Sequence, residues 1–191
     1  MGYKKLGVQS LLVMAKNKNI LTGEVGSSEI TTDVHSSSVL FIVSVRILMG
    51  GMMLFAGLGK FMGEPFDATG YLANVDSVSP VSGLYGMMAS SGVLMEIVNV
   101  MIPVTQVLIG LALLAGAFVR LAALGGALQM IAFYLGGFSG EWLALFDSTL
   151  IYAAVFLLLG AVAAGRAIGV DSYLEDLSIV EKYPRLEYIL G

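Results

Sequence analysis

An all-α integral membrane bundle of four helices, with a polar amino-terminal arm and an amphipathic carboxyl-terminal helix, is the fold class this sequence predicts. Three observations predict it. Of 191 residues, 57% are hydrophobic and only 13% charged, about half the charge of a soluble domain. The mean hydropathy is +0.87. Four apolar runs are each long enough, at about 1.5 Å per helical residue, to cross a hydrocarbon layer roughly 30 Å thick.

Residues 1–38 form the arm, with Lys4, Lys5, Lys16 and Lys18 among Ser and Thr residues. Its apolar piece, residues 11–15, is too short to span and lacks a small-x-small cleavage pattern, so a surface-lying helix is expected there. Leu6 stands where a myristoylation signal wants Ser or Thr, which argues against a lipid anchor. The bundle occupies residues 39–167, with spans at 39–61, 93–114, 119–135 and 146–167. The connections 62–91 and 136–145 contain no Lys or Arg. Cationic residues instead cluster in the arm, at Arg120, and at Arg166, Lys182 and Arg185. The positive-inside rule therefore places both termini in the cytoplasm of a multi-pass cell-membrane protein, with 62–91 outside. Tyr134, Phe138 and Trp142 fall where an outer aromatic belt belongs. The tail, 168–191, spaces Tyr173, Leu174, Leu177 and Val180 as one apolar helix face, broken at Pro184.

Helices in lipid associate by close approach, which small residues four apart allow: Ala112 with Gly116, Ala122 with Gly126, Gly160 with Ala164, Ala161 with Gly165. Val45-Arg46 before Gly50-Gly51, and Val119-Arg120 before Gly125-Gly126, hint at a repeated hairpin.

Composition also excludes classes of function. A net charge of −4 lacks the basic face that nucleic acid requires. With no Cys there is no disulfide, thiolate cluster or CxxC couple, and the single His35, in the arm, allows neither a bis-histidine haem nor a histidine metal centre within the bundle. No phosphate loop, dinucleotide fingerprint or nucleophile elbow is present. The expectation is a chain with no intrinsic cofactor and no metal.

Polar residues inside the spans carry the remaining information, since a charge at the bilayer centre costs about 2.5 to 3.5 kcal/mol even on gentle insertion scales. Lys60, Glu96 and Asp147 fall in the outer half, Arg46, Gln106 and Arg120 in the inner half, and Gln129 near mid-depth. Asp147 before Ser148-Thr149 has the pattern of an N-cap. Lys60 has the reach to snorkel and Arg120 is placed to anchor the inner surface. Glu96, followed by Asn99 and Pro103, is read either as a proton-handling group or as a structural polar contact. A lipid quinone would suit this set: its tail needs an apolar groove, and its carbonyls need donors such as Arg46, Lys60, Gln106, Arg120 or Gln129.

The first span, from Arg46-Ile-Leu-Met-Gly50 through Gly57-Leu-Gly59-Lys60, resembles the opening signature of the DoxX/DoxD family of small four-helix membrane proteins. The hairpin from Pro103 through Gln106 and Gly110 to Arg120 is similar to that family's most recognisable stretch, and Gly169-Val170-Asp171 to its closing motif. The likeness runs from residue 39 to 174. It implies a membrane subunit, in some members the DoxD-type small subunit of an archaeal thiosulfate:quinone oxidoreductase. One departure stands out: many members carry Glu where this chain has Gln106, and a neutral amide holds a carbonyl without exchanging a proton.

Two functions follow from resemblance and burial cost. One is a membrane subunit passing electrons from a thiosulfate-like compound or partner protein to membrane quinone, with Glu96 as catalytic proton route and Arg46, Lys60, Gln106, Arg120 and Gln129 around the ring. The other is a non-catalytic scaffold of a respiratory or redox-stress complex. Expected partners are membrane lipids, lipid quinone, and a second subunit or further copies of the chain. A solute pathway is disfavoured by the gap between inner and outer polar clusters.

Overall fold

The structure is a computed structural model that describes residues 20–25, 28–33, 36–141 and 146–174. The predicted surface helix at 11–15, His35, Trp142 and the tail beyond Leu174 lie outside the described residues. The chain forms two compact units, dividing after Ile42.

In the first unit, two strands form within the polar arm. Strands β1 (Ile20–Val25) and β2 (Ser28–Asp33) pair antiparallel, with Ile20 opposite Asp33 and Val25 opposite Ser28. Ile, Val and Thr at six of their twelve positions favour extended backbone.

The second unit is helical, as predicted. Helix α1 (Ser36–Gly59) begins before the division and runs into it. Two short helices, α2 (Thr69–Ala73) and α3 (Ser82–Ser90), lie in the long connection. Helices α4 (Gly92–Ala115) and α5 (Val119–Gly136) form an antiparallel hairpin, α6 (Ser148–Ala161) follows, and α7 (Asp171–Leu174) is a single turn. Among the described residues three helices, α1, α4 and α5, are long and apolar enough to cross a membrane. At the fourth predicted span stands a shorter apolar helix: α6 has 14 residues and extends about 21 Å, against the layer's roughly 30 Å.

The reason lies in the segment after Ala161, which read as continuous apolar helix but turns instead. Ala163 and Ile168 adopt positive φ, 50° and 53°, conformations that cost a non-glycine residue about 1 to 3 kcal/mol. Arg46 supplies compensation. Its Nη1 donates to the carbonyls of Ala164 (2.6 Å) and Ala167 (2.9 Å), and its Nη2 to Ile168 (2.9 Å), so the guanidinium holds the turns that follow α6. Asp171 does the reciprocal job at the start of α5. Its carboxylate accepts from the amides of Phe118 (2.6 Å) and Val119 (3.0 Å), and its own amide donates to Gly116 O at 2.8 Å. Phe118 is also left-handed, at φ 52°. Both charged residues are sealed from solvent, Arg46 at 2% and Asp171 at 0% exposure.

Close approach holds the long helices together, as predicted, though partly through other residues. Gly110 meets the backbone of Leu54, where an added Cβ would lie 2.5 Å from its nitrogen, and Gly126 seats the ring of Phe156, whose Cδ1 would lie 2.8 Å from one. Gly116 serves differently: it is the left-handed C-cap of α4, at φ 67°.

Candidate functional site

Two adjoining clefts occupy the helical unit. The larger, about 740 Å³, runs along the α4–α5 hairpin from Phe118 to Tyr71. Its wall is apolar, built from Met101, Leu108, Ile109, Leu121, Gly125 and Leu128 among others. Several of these are exposed on the helix surface, so the groove opens sideways. In a bilayer that direction is lipid.

The second cleft, about 480 Å³, shares Ala68, Tyr71, Ile102 and Phe133 with the first and continues it toward the long connection. Its polar lining residues are Lys60, Asp67, Tyr134, Asp147 and Thr149. Lys60 donates to Ala56 O (3.1 Å) and stands 5.3 Å from the centre of the Phe66 ring, a cation over a π face. Asp147 caps α6, as its pattern predicted, accepting from Thr149 N (2.7 Å) and from the Thr149 hydroxyl. Asp67 makes the same turn with Thr69 (N at 2.9 Å, Oγ1 at 2.6 Å) and accepts from Asn99 Nδ2 at 3.5 Å. These bonds to the charged form hold both carboxyls below the usual carboxylate range.

A cover closes the Tyr71 end of the groove. Tyr71 of α2 donates to Phe133 O (2.7 Å), Tyr85 of α3 to Ala132 O (2.9 Å), and Ser79 to Leu135 O (2.6 Å). All three carbonyls belong to the C-terminal end of α5, where Phe133 O also accepts from Gly137 N (3.0 Å) and Leu135 O from Phe138 N (3.4 Å). Gly136 fits this cover, because a Cβ there would collide with the Tyr71 hydroxyl. Burial raises both tyrosine hydroxyls above the ordinary phenol value, Tyr71 being raised further by the charges of Tyr85 and Asp147.

Midway along the groove sits a polar station. Pro103 lies inside α4, and lacks the amide that would close a bond to Asn99 O. Next to it, Thr105 Oγ1 reaches Met101 O (2.7 Å) and Ile102 O (3.0 Å). Gln129 crosses from α5, its Nε2 within 3.4 Å of Ile102 O and of Thr105 Oγ1. Gln129 Oε1 is buried and accepts nothing from the protein.

The predicted site residues thus separate. Lys60 lines the second cleft and Gln129 the groove. Arg46, Gln106 and Arg120 line neither. Arg46 spends Nη1 and Nη2 on backbone carbonyls, Gln106 is buried in the bundle at 3% exposure with Oε1 unpartnered, and Arg120 is half-buried on the first turn of α5. Glu96 is exposed on α4 and borders neither cleft. Sequence reasoning missed Tyr71, Tyr85 and Thr105, whose hydroxyls matter only because of what the fold sets opposite them. Among the described residues no group of three or more His, Cys, Asp or Glu is placed to hold a metal ion.

Residues 41–136 match the family model described as DoxX. No curated protein and no solved structure matches the chain.

Proposed function

The chain belongs to the DoxX family and carries three helices fit to span a membrane; from that premise we propose that it binds a membrane quinone in the α4–α5 groove and serves as the quinone-side subunit of an electron transfer. The observation that carries this reading is the groove itself. It combines an apolar wall, lateral access, and a mid-depth polar station at Gln129 and Thr105, which is what a ring on an isoprenoid tail requires. Electrons would come from a thiosulfate-like compound or a partner protein at the outer cleft, where Lys60 offers a cation to an anionic donor. The cell membrane, with both termini cytoplasmic, suits this arrangement, because the Lys- and Arg-free connection 62–91 then lies outside.

Photocrosslinking in lipid discs tests the proposal. An azido-substituted short-chain quinone is expected to label α4 and α5 residues along the groove. Filling the groove with Gly125→Phe should abolish labelling. Leu124→Phe, next in sequence but not on the groove wall, should leave it intact. Labelling that ignores Gly125→Phe, or maps elsewhere, would reject the groove as the quinone site.

A further inference from the structure

We propose that the groove is selective for the reduced, hydroxyl-bearing form of its ligand, a lipid-soluble hydroquinone, over the quinone; this rests on the reading of the groove as a quinone site. The basis is the direction of every polar hydrogen on its wall. Tyr71 and Tyr85 give their hydroxyl protons to Phe133 O and Ala132 O. Thr105 gives its proton to the Met101 and Ile102 carbonyls, and Gln129 directs its amide hydrogens at Ile102 O and Thr105 Oγ1. What remains toward a ligand is lone pairs.

A quinone presents two carbonyl acceptors and finds no donor here. A hydroquinone presents two O–H donors and finds acceptors. Gln129 Oε1 is the foremost of these, being buried without any partner, a condition that is unfavourable until a donor arrives. The amide orientation follows from its neighbours: turning it over would set Oε1 against the Ile102 carbonyl, acceptor to acceptor. The two Nε2 contacts, at 3.4 Å, hold that orientation, so a ligand hydroxyl has to reach Oε1 where it is buried. The sequence suggested Gln129 as a carbonyl donor; its surroundings make it an acceptor.

The consequence is thermodynamic. Tighter binding of the reduced form raises the reduction potential of the bound couple, by about 30 mV for each tenfold difference in affinity when two electrons are exchanged.

The test measures dissociation constants in lipid discs for a decyl-chain benzoquinone, its hydroquinone, and the hydroquinone dimethyl ether, which keeps the shape without the O–H donors. A long-chain aliphatic alcohol serves as the ringless hydroxyl. Hydroquinone is expected to bind about tenfold more tightly than quinone or diether, and Gln129→Met should bring the ratio of the two affinities to within about twofold of one. Equal affinity for quinone and hydroquinone, both displaced by Gly125→Phe, would overturn the selectivity and leave the quinone site standing. No binding of any form sensitive to Gly125→Phe would remove the site and the selectivity together. An alcohol that competes as well as hydroquinone would overturn the assignment of the ring.

Discussion

Arg46 and Asp171 divide one task at the Phe118 end of the groove: the guanidinium takes carbonyls of the turns that follow α6, and the carboxylate takes the amides with which α5 begins. Their opposite charges also act on one another. Three non-glycine residues hold left-handed backbone beside them, at Phe118, Ala163 and Ile168. Both cleft-lining helices thereby inherit fixed ends.

Breaking either half should therefore be costly. Arg46→Met strands three carbonyls and the Asp171 charge, and Asp171→Asn removes the charge opposite Arg46. Each should destabilise by about 3 to 5 kcal/mol, as expected when one partner of a buried charged network is removed. Thermal unfolding in detergent checks this. The double variant should lose less than the sum of the two, since both losses draw on one network.

Glycine contacts give a graded series. Gly110→Ala drives a methyl into the Leu54 backbone and Gly126→Ala drives one into the Phe156 ring, so both should cost about 1 to 3 kcal/mol by overpacking. Gly51, also helical, has nothing within 4 Å of an added Cβ. Gly51→Ala should be neutral or stabilise by up to about 1 kcal/mol through helix propensity. Melting temperatures of the three variants in one detergent decide the matter.

The helices were legible in the sequence because length and apolarity are local. Residues 93–114 and 119–135 differ from α4 and α5 by a residue or so at each end. The premature end of α6 was not legible: Val162 to Ala167 is apolar apart from Arg166, and only Arg46, more than a hundred residues away, explains why it turns. Likewise, burial cost singled out Arg46 correctly as an interior cation, but a charge in the interior serves a ligand and a backbone turn equally well on sequence grounds. The hydroxyls of Tyr71, Tyr85 and Thr105 acquire meaning only from the carbonyls facing them. Polar position is readable from a chain; polar direction is not.

Glu96 provides a simple comparison. It is exposed and borders neither cleft, so Glu96→Gln should change quinone affinity by less than about twofold, whereas a proton route through it predicts a fall in turnover. Turnover and affinity measured on one preparation separate the two outcomes.

Acid should act on the carboxylate caps at Asp67 and Asp147. The carboxyls of Asp67 and Asp147 are held below their ordinary values by bonds from Thr69 and Thr149. A depressed folded pKa contributes stability that is complete above the unfolded carboxyl value, near 4, and is lost as pH falls through the folded one. Asp147→Ala should remove its share of that acid sensitivity and, by loss of the α6 N-cap, cost about 0.5 to 2 kcal/mol at neutral pH. Unfolding followed from pH 7 to 2 for both proteins checks the sign.

Alkali should loosen the cover by the opposite arithmetic. Burial raises the Tyr71 and Tyr85 hydroxyls, so between the unfolded value, near 10, and the higher folded value the two phenols stay neutral in the fold while an unfolded chain ionises. Their stabilising share is complete below about pH 10 and is lost as pH rises through the folded value. Ionisation also removes the protons that bind Phe133 O and Ala132 O. Amide exchange of residues 69–90 should accelerate over that range beyond its normal base catalysis. In Tyr71→Phe/Tyr85→Phe the excess should vanish, exchange there being faster already at pH 7 because the two hooks to α5 are gone. An alkaline profile identical in the two proteins would mean that these hydroxyls do not hold the cover down.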